Sequence, residues 1–500
     1  MKIKTFFLLL FLLLPVLIPA EEIVLPEAVI KGDDRSESES PSIEFEEKGA
    51  EIFLPSPFPP REKMLFFWGM EVGAGENKKS KFLLNTEVKR EERFSFKNSF
   101  LFEREDGYRP NSDFRIFDFS SLFGLQVKDG EKIYLKGSYF HNELGLPGKV
   151  NNPTPDSRRK NEKRKISLEW EKFFPAENGW KGEISYQQSL VKSTAFSSRY
   201  RNEIASFQVG YYDAPLSFLA SFSRERLENH YQVEDCAFSA RIDKIQITPV
   251  FYTYAGLKVE KRKALGFLFL PELGIRFEPT DALAISLEGS SFLDIPRFDQ
   301  LYLKQNFVEV KEGILKPEHQ EKVKLGVSKK ISKGKIEINF FTEKKENLII
   351  WSDRDNNGLY QPTNIKKANL WGGQIILEKQ YSPYFRQKFL YTHQEVENKD
   401  PGISYIPYYP ADIFENTFEI RAGRFVFEII GKYLAKQYEQ ENSSERLPGY
   451  GLLETNIFYS LNKYAKIFLI GENLTNTNYE LVKGYPADGR RFFGGVELKF

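Results

Sequence analysis

From Met64 to the last residue, hydrophobic and polar positions alternate with a period of two. Ile166, Leu168 and Trp170 oppose Ser167 and Glu169. Ile336, Ile338 and Phe340 oppose Glu337 and Asn339. Phe425, Phe427, Ile429 and Tyr433 oppose Glu428 and Lys432. A period of two puts successive side chains on opposite faces of a β-strand. Helical periodicity is nearly absent. The pattern predicts about 22 strands, over 65–75, 80–90, 92–103, 115–128, 131–141, 164–173, 179–192, 202–211, 215–225, 233–242, 245–257, 267–277, 282–292, 320–331, 335–344, 370–380, 385–396, 412–421, 424–436, 450–460, 464–474 and 490–500.

The connections carry a second rhythm. After even-numbered strands they are short, as at Arg90-Glu91, Asp129-Gly130, Tyr212-Asp213-Ala214, Asp243-Lys244, Ser332-Lys333-Gly334 and Ala422-Gly423. After odd-numbered strands they are longer, as at 104–114, 142–163, 293–319, 345–369, 397–411, 437–449 and 475–489. A transmembrane antiparallel β-barrel requires this phase, with tight periplasmic turns and long outer loops. An even strand count returns both ends of the barrel to the periplasmic side.

The first twenty residues fit export. Lys2 and Lys4 precede an unbroken apolar run from Phe6 to Leu14, and Ala20 stands before Glu21-Glu22. This is the pattern of a cleaved signal peptide. No later stretch reaches the roughly 18 continuous apolar residues of a spanning helix. A membrane-spanning form must therefore be a barrel. Residues 21–62 are dense in Glu, Ser and Pro and predict a periplasmic linker that buries too little apolar surface to fold alone. The barrel is expected over 63–500.

Composition adds exclusions. The mean hydropathy is −0.45, a value that alternation permits in a membrane barrel. The 45 Phe and 25 Tyr are enough for aromatic girdles at both membrane surfaces. Basic and acidic residues number 71 and 70, so no nucleic-acid partner is expected. Cys236 is the single cysteine and the four histidines are dispersed, so neither an internal disulfide nor a structural zinc site is expected. No Ser, His and acid share a recognisable catalytic context. No enzyme activity and no cofactor are expected.

The C-terminal segment is the most specific. Phe492, Gly494, Val496, Leu498 and Phe500 share one face, with Arg491, Glu497 and Lys499 on the other. A strand ending on an apolar-face phenylalanine has the form of a closing strand and of a signal to the barrel-assembly machinery, carried by Phe492, Val496, Leu498 and Phe500. Ahead of it stand Asn473-Leu474-Thr475-Asn476, Tyr479 and Tyr485-Pro486-Ala487-Asp488-Gly489-Arg490. Upstream are Ile295-Pro296-Arg297-Phe298-Asp299-Gln300-Leu301-Tyr302 and Leu315-Lys316-Pro317-Glu318. Asn364, Gly372-Gly373 and Gly145-Leu146-Pro147-Gly148 follow the same order. Together these motifs resemble the TonB-dependent outer-membrane receptors, barrels that import scarce ligands such as metal chelates and cobalamin. Asp294 and Gln300 replace the Arg and Glu usual in that family.

The resemblance implies an outer-membrane location and a small solute as partner. It also draws attention to Glu22, Ile23, Val24 and Leu25, before Pro26, which resemble the segment through which such receptors engage TonB. The alternative is a plain linker. The family places a plug of well over a hundred residues before the barrel, whereas about forty residues separate the predicted signal from the first strand here. Three expectations stay open: a passive porin-like channel, a separately encoded plug, or outer loops that fold in and close the lumen. A surface-anchored binding or scaffold barrel is the non-transport alternative.

Two local patterns complete the reading. Asp353, Asp355 and Asn357, with Gly358, match the first half of a calcium loop, in which alternating oxygens wrap the ion around a glycine turn. Position twelve is Asn364 in place of a bidentate acid, and Asp, Asn and Gly equally build an ordinary turn. Arg158, Arg159, Lys160, Lys163, Arg164 and Lys165 form a basic cluster in a predicted outer loop. It is either a solvated charge run or a contact for lipopolysaccharide phosphates.

Overall fold

The computed structural model describes residues 64–90, 93–174, 178–194, 198–213, 216–228, 231–262, 266–296, 315–353, 360–401 and 403–500. The expected signal peptide, the linker, Glu22 to Leu25, and Arg297 to Tyr302 lie outside these. Every regular element among the described residues is β. Twenty-two strands form the wall: β1 (Met64–Gly75), β2 (Ser80–Arg90), β3 (Phe94–Glu105), β4 (Phe114–Lys128), β5 (Glu131–Gly145), β6 (Arg158–Phe173), β7 (Gly179–Ser193), β8 (Ser198–Asp213), β9 (Leu216–Leu227), β10 (Tyr231–Thr248), β11 (Phe251–Arg262), β12 (Gly266–Thr280), β13 (Leu283–Asp294), β14 (Glu318–Ile331), β15 (Gly334–Ser352), β16 (Gln361–Ser382), β17 (Phe385–Asn398), β18 (Asp412–Ala422), β19 (Phe425–Leu434), β20 (Tyr450–Ser460), β21 (Ala465–Glu472) and β22 (Arg491–Lys499).

Each strand pairs antiparallel with its sequence neighbour, and β22 returns to β1 to close the ring. Closure leaves no unpaired edge, the condition for crossing a bilayer with strands. The seam joins Gly69–Gly75 to Phe493–Lys499. At its periplasmic end Trp68 and Phe500 exchange backbone hydrogen bonds of 2.8 Å, and their rings stack at 4.4 Å. The seam is tightest at Gly495. A Cβ on Gly495 would lie 2.1 Å from the Val72 carbonyl oxygen and 2.7 Å from the Gly73 Cα.

The wall is apolar outside and polar inside. Ile166 and Leu168 are 54% and 49% exposed, while Ser167 and Glu169 between them are buried. Phe340, Phe425, Ile429 and Tyr433 face outward, and so Glu337, Asn339, Glu428 and Lys432 face the lumen. Ile184 and Tyr186 do the same for Glu183 and Gln187. Inverting the usual arrangement is what a lipid solvent demands.

Strand number, closure and alternating loop length agree with the sequence reading. The tight turns at Asp129-Gly130 and Ala422-Gly423 are present, with Gly130 and Gly423 at φ of 72° and 62°. Three expectations are corrected. Asp243-Lys244 is not a turn: it sits within β10 at an irregularity between Ile242 and Ile245, and the chain reverses at Pro249-Val250. Connection 142–163 shrinks to 146–157, and 345–369 to 353–360, because the hairpins continue beyond the membrane. There the strands lose their apolar stripe. Arg158 to Lys163 carries charge on both faces, and Leu348, Ile349, Ile350 and Trp351 are buried on both.

Candidate functional site at the outer mouth

Several of the motifs singled out in the sequence lie at or beside the outer connections and lock loops there. Asn364 Nδ2 donates to the Asn347 carbonyl at 2.6 Å and the Lys316 carbonyl at 3.0 Å, and its Oδ1 accepts from the Lys316 N–H at 2.7 Å. This joins the Leu315-Lys316-Pro317-Glu318 stretch to the β15–β16 hairpin. Glu318 Oε2 continues the joint by accepting from the Ile349 N–H at 3.1 Å. Asn347 holds a left-handed φ of 59°, a conformation asparagine tolerates better than other side chains.

The last outer connection uses the same device. Asn473 Nδ2 donates to the carbonyls of Thr477 and Asp488 at 2.9 and 3.0 Å. Asn476 Oδ1 accepts from the Arg490 N–H at 2.9 Å. Both legs of the loop are thus tied to the turn between them. The β3–β4 connection holds the β5–β6 connection: Asn111 Nδ2 donates to the carbonyls of Leu146, Thr154 and Ser157, and Arg109 donates to the Gly148 carbonyl at 2.8 Å.

These locked loops pack on one another across the mouth. Trp351, Tyr360, Tyr408, Leu447, Tyr450, Tyr479 and Tyr485 belong to one buried cluster drawn from four connections. Tyr450 and Tyr479 stack at 4.3 Å, and the Tyr360 and Tyr408 hydroxyls lie 3.3 Å apart. Tyr408 and Ser404 donate backbone hydrogen bonds to the carbonyls of Tyr438 and Glu441. The β5–β6 connection reaches the same cluster from the far side. Val150 N–H donates to the Gly484 carbonyl at 3.0 Å, and Lys149 Nζ stands 5.0 Å above the Tyr360 ring. β6 and β15 are nine steps apart in a ring of twenty-two. Lys149 and Tyr360 therefore meet across nearly the full width of the mouth. The Tyr108 hydroxyl also donates to the Pro486 carbonyl.

Burial raises the Tyr360 hydroxyl to about 12. Burial likewise pushes Tyr408, Tyr479 and Tyr485 up, so the cluster is neutral at physiological pH. Below it Arg491 is buried among carboxylates. It pairs with Asp488 at 2.7 Å and Glu105 at 3.5 Å, and with Glu472 in a close contact. That hub ties β22 to β3, β21 and the last outer connection. The lumen wall continues with Lys432–Glu454 at 2.8 Å, both buried, and with Lys322–Glu343 at 3.0 Å, of which Glu343 is buried.

The basic cluster is not a loop: all six residues lie on β6, and alternation splits them across the wall. Arg158, Lys160 and Arg164 share the outer face, and Arg159, Lys163 and Lys165 the inner one. Arg158 is engaged with Asp113 at 2.8 Å and Glu143 at 3.2 Å, and Lys160 with Glu143 at 3.2 Å. The Arg158 guanidinium holds the Asp113 carboxyl below its usual range. Asp353 is buried beside the cluster, while Asp355 and Asn357 lie outside the described residues. Among the described residues no group of His, Cys, Asp and Glu gathers to hold a metal. Phe492, Val496 and Phe500 face outward at 39–40% exposure, with Leu498 on the same face. The aromatic cap and the Arg491 hub went unread in the sequence. The available signal was the run of tyrosines within otherwise polar outer connections.

A family model described as "TonB dependent receptor-like, beta-barrel" matches residues 93–474. The vitamin B12 transporter BtuB of Vibrio vulnificus is 21% identical over 255 residues, 49% of this chain and 40% of BtuB. The match thus spans well under half of that curated relative. Among solved structures, the siderophore receptor PirA from Pseudomonas aeruginosa aligns with a TM-score of 0.69 at 13% identity, over 89% of this chain and 81% of PirA. The ferric-catecholate import receptor Fiu from Escherichia coli K12 aligns at 0.71 and 13%, over 88% and 82%. At such identities the structural likeness speaks for the fold. The family match covers most of the chain, and the protein belongs to the TonB-dependent receptor-like β-barrel family of the bacterial outer membrane.

Proposed function

We propose that this barrel passes a small solute across the outer membrane through a mouth gated by its own outer loops. Selection would lie in the polar lumen and in the loops, without covalent chemistry. The observation that carries this reading is the cap that crosses the mouth, with Lys149 over Tyr360 from nearly the opposite side and Val150 tied to Gly484 a quarter of the ring away. A passive pore gains nothing from loops tied across its entrance.

The TonB-coupled form of this reading is favoured by the family to which the barrel belongs, with a metal chelate or cobalamin as the class of solute. It assigns residues 1–20 to a signal peptide and Glu22 to Leu25 to the coupling segment. It also keeps the lipopolysaccharide contact, now on the outward Arg158, Lys160 and Arg164, and the C-terminal strand as the assembly signal.

Single-channel conductance of the inserted barrel tests the gate. The expected result is closed or brief, small openings that become large when Lys149→Ala and Tyr360→Ala are combined. Large, steady conductance from the unaltered barrel would overturn it. Loss of solute uptake on deleting Glu22 to Leu25, with the barrel still inserted, tests the coupling.

A further inference from the structure

At the opposite end of the barrel a cationic cavity of about 390 Å³ lies at the inner rim, between the turns that join β14 to β15 and β16 to β17. Lys333, Lys335, Lys379, Arg386 and Arg421 line it, against Glu378 and Glu419. Five cations thus line it with two carboxylates, while Lys335 also pairs with Glu337 and Lys379 Nζ donates to the Ser332 carbonyl. The pairs in it are one-sided: Arg386 holds Glu378 at 3.1 Å and Arg421 holds Glu419 at 2.6 Å. Their guanidiniums stay open, with side chains 41% and 59% exposed. Such forks bind carboxylates in pairs.

The chain carries a matching charge on the same side. Between Asp33 and Glu47 there are seven acidic residues and one basic one, and this segment precedes β1, whose first residue lies at the periplasmic end. Reach permits the contact. From β1 to β17 is six steps around the wall, about 29 Å at ~4.8 Å per strand. The seventeen residues from Glu47 to Met64 extend to about 56 Å.

We propose that the acidic segment Asp33–Glu47 docks into the cationic cavity at the periplasmic rim between β14 and β18. The proposal stands apart from the nature of the solute and from outer gating. Docking would hold the chain's N-terminal region against one arc of the periplasmic opening, in a contact that salt weakens.

Carbodiimide cross-linking of the purified, membrane-inserted full chain, read by mass spectrometry, tests it. The expected product is an intramolecular link from Lys333, Lys335 or Lys379 to a carboxyl between Asp33 and Glu47. Its yield should fall at least tenfold in R386E/R421E and at high salt. Retention of the heat-modifiable folded band shows that the variant barrel is intact. The internal Lys335–Glu337 contact serves as a positive control. Links found only between two copies, links insensitive to R386E/R421E, or the control link alone would each overturn the proposal.

Discussion

Replacing Arg491 with Met removes the one cation from a buried group of four charges. The guanidinium faces Glu105, Glu472 and Asp488, and its side chain is 7% exposed, with Glu105 and Asp488 at 0% and 2%. The group carries a net charge of −2 with Arg491 and −3 without it. The remaining carboxylates then lose their shared donor inside a low-dielectric wall. Breaking a buried pair by removing one partner costs about 3–5 kcal/mol. Methionine fills most of the volume, so the cost is electrostatic rather than a cavity. Two consequences distinguish this origin. The deficit should shrink as the pH falls, because protonating the orphaned acids removes the repulsion. Adding Asp488→Asn to Arg491→Met should restore part of the stability. The assay is urea unfolding of the barrel in detergent micelles followed by tryptophan fluorescence, at neutral and at acid pH, with the unboiled gel shift as a check on folding. A loss under about 1 kcal/mol, below the range for a broken buried pair, or a loss independent of pH, would refute the reasoning.

Three further outcomes follow from the geometry. Gly495→Ala places a Cβ 2.1 Å from the Val72 carbonyl, so the seam must shift, at a cost of about 1–3 kcal/mol in unfolding experiments. Asn364→Ala deletes three hydrogen bonds, two to Lys316 and one to the Asn347 carbonyl, and should speed amide hydrogen exchange at Lys316 far more than at Lys330, with a local loss of about 1–3 kcal/mol. The cap should open in alkali. Tyr360 titrates at about 12 in the folded protein and near 10 when exposed, so the cap keeps its full stability below pH 10 and loses it as the pH rises towards 12. Tyrosinate absorbance rising together with conductance would show this.

The wall was legible because lipid imposes one rule on every strand. Ile166 and Leu168 must face out and Ser167 must face in, and the reversal of that rule at each turn sets the strand count. The rule ends at the membrane surface. Above it β6 begins with Arg158-Arg159-Lys160 and β15 ends with Leu348 to Trp351, and neither stretch alternates in hydropathy. Hairpin heights are therefore short in the sequence reading, and the basic cluster falls there in an outer loop when it lies on β6. Asp243-Lys244 looked like a turn because those residues are common in turns, yet pairing with β11 continues past them. The family motifs were visible as residues but not as contacts. Asn364 meets Lys316 across 48 positions, and Arg491 meets Glu105 across 386. No periodicity reports such pairings.

The backbone hydrogen bonds that run from loop to loop have a consequence for how such a mouth diversifies. Val150 answers to Gly484, Tyr408 to Tyr438 and Ser404 to Glu441. A loop grafted alone from a relative would arrive without its counterparts and leave stranded donors on its neighbours. New specificity at this entrance would then be inherited in blocks, several connections exchanged together, and a library that randomises one loop at a time would sample mostly broken lids.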